Sequence, residues 1–438
     1  MIRFFSAAAL SFCFILNAAA NQVVLIATSQ THSSFERCGC SGHYQGGLEA
    51  RAAYLDKLAA ENVPYILIDA GGFLPNETAP IDAATGKSYF GAMKELKYDL
   101  ALLGPPDLAL GQIYLKNLAS QSVSPMLLSS NLELGDESFW APSTAIIRDG
   151  VKIGFVGASS FRTMRAGGFS ILPADKTITD QIRILREKEN PDAIVLLAYE
   201  PSNLVRSWLA QHQELKIDLA ITLDLGQDLE KQGETYIANA PQKGYQVGKI
   251  VLDVAPGKGI ETAVYSRETI DAQWRNEAMR AYIKTAYENM IDELNLKISG
   301  PIPLQNFKEE ENPSHSYVGA KTCRGCHEAQ YNQWEQTVHA RAFDLLLDKN
   351  RQWIPQWLSR CVTGYGSKTG FQSYPETLSF LNVQCETCHG PGSSHIEGAA
   401  SGPIRRVPPK ELCLECHDRD FSPKFDVLFD LYYKQIVH

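Results

Sequence analysis

Three short runs late in the chain share one pattern: Cys323-Arg-Gly-Cys326-His327, Cys385-Glu-Thr-Cys388-His389 and Cys413-Leu-Glu-Cys416-His417. Each is a C-x-x-C-H, the sequence to which haem c is attached covalently. Two thiols three positions apart can both reach the vinyl groups of one porphyrin. The His after the second Cys is then held under the iron as its proximal ligand. The runs use six of the ten Cys. They predict three covalent haem c groups, held by Cys323, Cys326, Cys385, Cys388, Cys413 and Cys416, with His327, His389 and His417 as proximal ligands. Zinc explains less. Cys385, Cys388, Cys413 and Cys416 could form a four-thiolate site, but that leaves Cys323 and Cys326 unpartnered and gives the three His no role.

The opposite face of each iron needs its own account. Residues 314–438 hold seven His, and after the three proximal ones His315, His339, His395 and His438 remain for three distal positions. No Met occurs beyond Met290, so His/Met ligation is excluded there. Bis-His sites, or sites with an open position, are left. Closed bis-His iron has a comparatively low potential and suits an electron carrier more than an enzyme. An open position would instead suit a reductase of a small nitrogen compound. Either way the porphyrins would be the core of this segment, which should not fold without them.

The surrounding residues carry a resemblance. Tyr317-Val-Gly-Ala320, the stretch from Trp334 to His339-Ala340, Cys388-His389-Gly390-Pro391-Gly392-Ser-Ser-His395 and the run Phe425 to His438 resemble the multihaem cytochromes related to the electron acceptor of hydroxylamine oxidoreductase. The resemblance implies that His339, His395 and His438 are the distal ligands. His315 is then the spare and reads as an exposed linker residue. Relatives carry a further C-x-x-C-H just before a Thr-Gly-Tyr-Gly run. This chain has Ser359-Arg360-Cys361-Val362-Thr363-Gly364-Tyr365-Gly366, which implies that one haem has been lost. Which distal His serves which haem stays open.

The elements that must carry these residues begin with an export signal. Arg3, the apolar run Phe4 to Leu16 and Ala18-Ala19-Ala20 predict a signal peptide over residues 1–20. The run is too short to span a membrane, and Phe12 before Cys13 fits a lipoprotein site poorly. Export to the periplasm or outer surface of a bacterium agrees with haem c, which is attached outside the cytoplasm. No other run is apolar enough for a membrane helix. A net charge of −9 argues against nucleic-acid or anionic-membrane partners; redox proteins are the expected ones. Oligomeric state is not legible.

Residues 21–298 read as alternating strands and helices, an α/β layered sandwich, with a small, mostly α multihaem cytochrome c domain over 314–438. Strands are expected at Val23–Ala27, Tyr65–Asp69, Leu100–Leu103, Met126–Leu128, Ile153–Val156, Ala193–Leu197 and Leu219–Thr222. A helix is expected over Gly47–Glu61, a hairpin over Val247–Val254 and Thr262–Ser266, and a long polar helix over Thr269–Leu296 leading out of the domain. Residues 299–313, with Pro301, Pro303 and Pro313, read as a linker.

Thr28 to His32, Gly46-Gly47-Leu48 to Arg51-Ala52, Asp69-Ala70-Gly71, Leu103-Gly104, Asn239-Ala240 and Gly244 to Gly248 resemble the calcineurin-like metallophosphoesterases, in particular their 5'-nucleotidase branch. That family binds two metals. Against its pattern, Gln30-Thr31-His32 replaces Asp-x-His, and Gly72 replaces the bridging Asp. Pro105-Pro106-Asp107 replaces Asn-His-Glu, Tyr199 replaces a His, and Thr222-Leu223-Asp224-Leu225 replaces Gly-His-x-His. A two-metal mechanism needs a clamp of hard oxygens and imidazoles around both ions. The departures imply a fold kept without its metals, a pseudoenzyme serving as scaffold or docking surface, with His32 an ordinary hydrogen-bonded loop residue. Cys38-Gly39-Cys40 and Cys361 are the Cys left over, and pairing of Cys361 with Cys38 or Cys40 would staple the two domains.

Overall fold

Val23, Leu25 and Ala27 alternate with Val24 and Ile26 along one strand, and both sets are buried. A strand that is apolar on both faces needs cover on both. The computed structural model supplies it with a second sheet on one side and helices on the other. The structure describes residues 21–35, 46–76, 80–121, 124–135, 138–223, 228–270, 274–293, 315–348, 352, 355–372, 377–398, 404–417, 422 and 425–438. The expected signal peptide, the linker and Cys38, Cys40 and Asp224 lie outside them.

The first six-stranded sheet runs Gly259–Thr269, Gln246–Ala255, Asn21–Thr28, Tyr65–Asp69, Leu100–Leu102 and Met126–Leu128 in spatial order. Its last four strands are mutually parallel. The second runs Leu229–Gln232, Thr235–Asn239, Leu219–Thr222, Ala193–Ala198, Val151–Ala158 and Ser143–Arg148, parallel except at its two edges. Val23, Leu25 and Ile68 of one sheet pack against Phe155, Val195 and Ile221 of the other. Outside the first sheet lie Leu48–Ala60 and Pro80–Glu95; outside the second lie Ala174–Lys188 and Ser202–Gln211. The result is a four-layer sandwich in which the C-terminal ends of the parallel strands of the two sheets meet, as the Ser129–Ser159 hydroxyl contact of 2.8 Å and the Ser130 N–H to Gly157 carbonyl bond of 2.7 Å record.

Two expectations change. The hairpin's second strand continues to Thr269, because Gln246 still pairs with it. The next helix therefore occupies Glu277–Glu293. Nor does it lead away from the domain. Met279, Ile283, Ala286 and Met290 recur at helical spacing and are buried in the first sheet's outer core.

Residues 315–438 are mostly helical, in short pieces: Ala320–Arg324, Glu328–Glu335, Asp344–Asp348, Pro355–Cys361, Cys385–His389, Ser393–Ile396, Lys410–Leu414 and Phe429–Tyr433. Their own apolar core is small. Phe343, Leu346, Leu358, Val362 and Phe371 form it, with Cys361 and Tyr365 packed against it. Cys361 thus sits against a cluster of apolar side chains. Among the described residues no helix is long and apolar enough to cross a membrane.

Candidate haem-binding sites

Within each C-x-x-C-H the chain makes a tight turn that keeps the His beside its two thiols. His327 and His417 donate backbone N–H bonds to the carbonyls of Cys323 and Cys413, at 3.0 and 2.8 Å. The second motif is itself one turn of helix, Cys385–His389, closed by Gly390 at φ 94°, a left-handed conformation that suits Gly.

Each motif His faces one His from elsewhere in the chain. The ring centres of His327 and His395 are 6.1 Å apart, those of His417 and His339 5.9 Å, and those of His389 and His438 5.7 Å. A metal–imidazole bond is about 2 Å and the ring centre lies about 1 Å behind the nitrogen, so two imidazoles across one ion sit ~6 Å apart. Among the described residues no group of three or more His, Cys, Asp or Glu could hold a metal. Pairs are what an iron needs when a porphyrin supplies its other four ligands.

Two more observations fit that group. Backbone carbonyls can only accept, so the Nδ1 atoms of His389 and His438 donate to the Arg405 and Ile436 carbonyls, at 2.6 and 3.1 Å. That tautomer leaves Nε2 available as a ligand. His417 Nδ1 meets the Ser422 hydroxyl at 2.9 Å while its ring stacks on Phe425. Apolar side chains also stand bare beside the distal His: Val338 is 83% exposed, Ile396 54% and Val437 47%. A large apolar plane between the imidazoles would cover surface of this kind.

The motifs adjoin one another. The Cys323 and Cys385 thiols share a hydrogen bond, which raises the first and lowers the second. Burial pushes Cys388 up to about 11, with Cys413 and Cys416 adding to it. Burial also lowers His339 below its ordinary value. Arg360 donates to the Cys416 carbonyl at 2.7 Å, so the segment before Thr363 braces the third motif. His315 departs from the expected exposed linker residue: it is partly buried, and its Nδ1 meets the Ser394 hydroxyl at 2.6 Å.

In the α/β domain, the residues that stand where the resemblance would put metal ligands bond or pack against other protein groups. Asp107 accepts N–H bonds from Gly72, Leu74 and Gly104 at 2.7–2.9 Å. His32 Nδ1 turns to the Leu74 carbonyl at 3.4 Å, and burial lowers its pKa. Tyr199 lies over the glycine backbone. A Cβ on Gly71 would come within 2.6 Å of its ring, and one on Gly104 within 2.5 Å. Buried Arg51 donates to Tyr98 at 3.0 Å, Tyr98 shares a hydrogen bond with Thr28, and Thr28 donates to Asp69 at 2.8 Å. Burial raises both Asp69 and Asp107 to about 7.

A family model described as cytochrome c554 and c-prime matches residues 322–390. The chain is 31% identical over 129 residues to cytochrome c-554 of Nitrosomonas europaea, a match covering 25% of this chain and 55% of that protein. The α/β domain is similar to the sulfate thiohydrolase SoxB of Thermus thermophilus, with a TM-score of 0.53 and 16% identity over 64% of this chain and 62% of that one. It is similar to a 5'-nucleotidase precursor, also from Thermus thermophilus, with a TM-score of 0.52 and 16% identity over 65% and 61%. The calcineurin-like phosphoesterase YfkN of Bacillus subtilis gives a TM-score of 0.50 and 18% identity over 63% and 99%. The chain thus spans little more than half the length of the curated relative, and about three fifths of the first two structures. A region similar to cytochrome c554 is joined to a metallophosphoesterase-like fold.

Proposed function

We propose that this protein is an exported c-type cytochrome with three covalent haems that carries electrons between redox proteins. The single observation behind this reading is the set of three His–His pairs, each joining a motif His to a distant one across 5.7–6.1 Å. Residues 1–20 are the signal peptide, 21–298 the phosphoesterase-like domain, 299–313 the linker and 314–438 the haem domain.

Bound haem supplies a one-electron iron couple whose potential depends on its axial ligands, burial and nearby charge. The chain does the rest. Cys323 and Cys326, Cys385 and Cys388, and Cys413 and Cys416 would hold the three porphyrins by thioether bonds. His327 with His395, His389 with His438, and His417 with His339 would supply the iron's imidazole ligands and so keep small molecules off. Apolar residues such as Val338 and Ile396 would be covered by the bound group.

The phosphoesterase-like domain is a non-catalytic scaffold or docking surface. Support comes from Asp107, whose oxygens are taken by three N–H groups, and from the Tyr199 ring over Gly71 and Gly104. A two-metal clamp needs free oxygen and imidazole ligands.

The test is the visible spectrum of the reduced holoprotein with a pyridine haemochromogen count, before and after carbon monoxide. Three haems per chain and an unchanged spectrum are expected. A carbon monoxide shift in part of the Soret band would overturn the carrier reading in favour of a reductase. No haem at all would sink both.

A further inference from the structure

Glu386 lies inside the second C-x-x-C-H, between its two Cys, and is 2% exposed. A carboxylate is seldom buried without compensation. Its partners come from two segments, one nearly 70 residues earlier and one six residues on. Val318 N–H reaches both oxygens at 3.0 and 3.1 Å, Gly319 N–H reaches Oε2 at 2.7 Å, and Gly392 N–H reaches Oε1 at 2.7 Å. All are donors, so the side chain meets them as an anion that only accepts. Such charge-assisted bonds are the stronger kind.

Each of the two segments leads into a helix that carries haem ligands. Gly319 immediately precedes the helix Ala320–Arg324, which carries Cys323 and leads into Cys326 and His327. Gly392 immediately precedes the helix Ser393–Ile396, which carries His395. The same carboxylate therefore holds the start of both pieces that end in the first His pair. Neighbouring bonds agree: Gln384 Oε1 accepts from Ala320 N–H at 2.6 Å, and Ser316 and Ser393 exchange bonds of 2.8 and 3.1 Å. The contact is close enough that a Cβ on Gly392 would lie 3.1 Å from Glu386 Oε1 and push it by a few tenths of an ångström.

We propose that Glu386, a residue of the second haem motif, is the positioning residue of the first haem site, fixing His327 and His395 across from each other. The proposal rests on the three-haem reading. A negative charge beside Cys385 and close to Cys323 would also favour the oxidised form of a haem held there.

The experiment compares wild-type holoprotein with Glu386→Gln, Glu386→Ala and His395→Ala. Haem content tests the three-haem reading by itself: fewer than three haems in the wild type would fail that reading and leave Glu386 out of the question. With three haems present, Glu386→Ala is expected to keep all three, because the thioether residues are untouched. One third of its Soret absorbance should then respond to carbon monoxide, as in His395→Ala, while the wild type does not respond. Glu386→Gln keeps the volume but offers one acceptor oxygen in place of two. It should raise the midpoint of part of the redox titration and give a smaller carbon monoxide fraction. If Glu386→Ala does not accumulate, Glu386→Gln decides on the same two readouts. Full haem content, inertness to carbon monoxide and an unshifted titration in either variant would overturn the proposal.

Discussion

At the scale of single residues, the distal imidazoles are the most exposed to test. His339→Ala, His395→Ala and His438→Ala should each make one haem of three responsive to carbon monoxide and leave the other two unchanged, measured as the stoichiometry of a difference spectrum. Asp69 and Asp107 make a different kind of statement. Burial raises both from 3.8 to about 7. A carboxyl that holds its proton more tightly when folded stabilises the fold fully below its unfolded value, and that contribution is lost as pH rises through the folded one. The α/β domain should therefore lose thermal stability between pH 4 and 7. Asp69→Asn, which keeps an oxygen for the Gly71 N–H, should flatten that slope in calorimetry of the full chain. The C-x-x-C-H runs stand out in the sequence because haem attachment is a local chemistry of five consecutive positions. Glu386, Gln384 and Arg360 do not. Their partners are backbone groups of distant segments, and a sequence carries no mark for those. Nor could the His pairs be matched, since each joins residues whose separation says nothing of their contact.

At the scale of elements, the strand ends around Tyr199 decide what the phosphoesterase-like fold retains. Tyr199→Ala should destabilise the domain by about 2–4 kcal/mol, the usual cost of emptying an aromatic site, read as a shift in denaturant midpoint. Manganese should leave the wild-type unfolding midpoint unchanged, because only a ligand that binds the native state raises it. A midpoint that rises with manganese, with phosphate released from a nucleotide, would revive a metal centre. The parallel strands were legible as short apolar runs between turn residues. The helix Glu277–Glu293 was read as polar and outward-leading, since its buried stripe of Met279, Ile283, Ala286 and Met290 is narrow among charged neighbours. Ile283→Ala should cost about 2 kcal/mol, which an outward helix would not.

At the scale of the molecule, the two parts draw on different sources of stability. Among the described residues, the α/β domain has three large clusters of buried side chains, and residues 315–438 have one of five. Chain made in cells that lack the haem-attachment machinery should yield a protease-resistant α/β domain and a C-terminal part that is digested. Equal resistance of both parts would contradict the view that haem is the missing core. The pairing of the imidazoles also constrains assembly, as drawing each pair as an arc over the linear chain makes plain. The arcs run from 327 to 395, from 339 to 417 and from 389 to 438. Every arc crosses the other two. A chain emerging from its N-terminus has therefore opened all three before residue 395 appears, and has closed none. A nick between His389 and His395 would part all three at once. No pair of this domain can close until the first members of all three have been made.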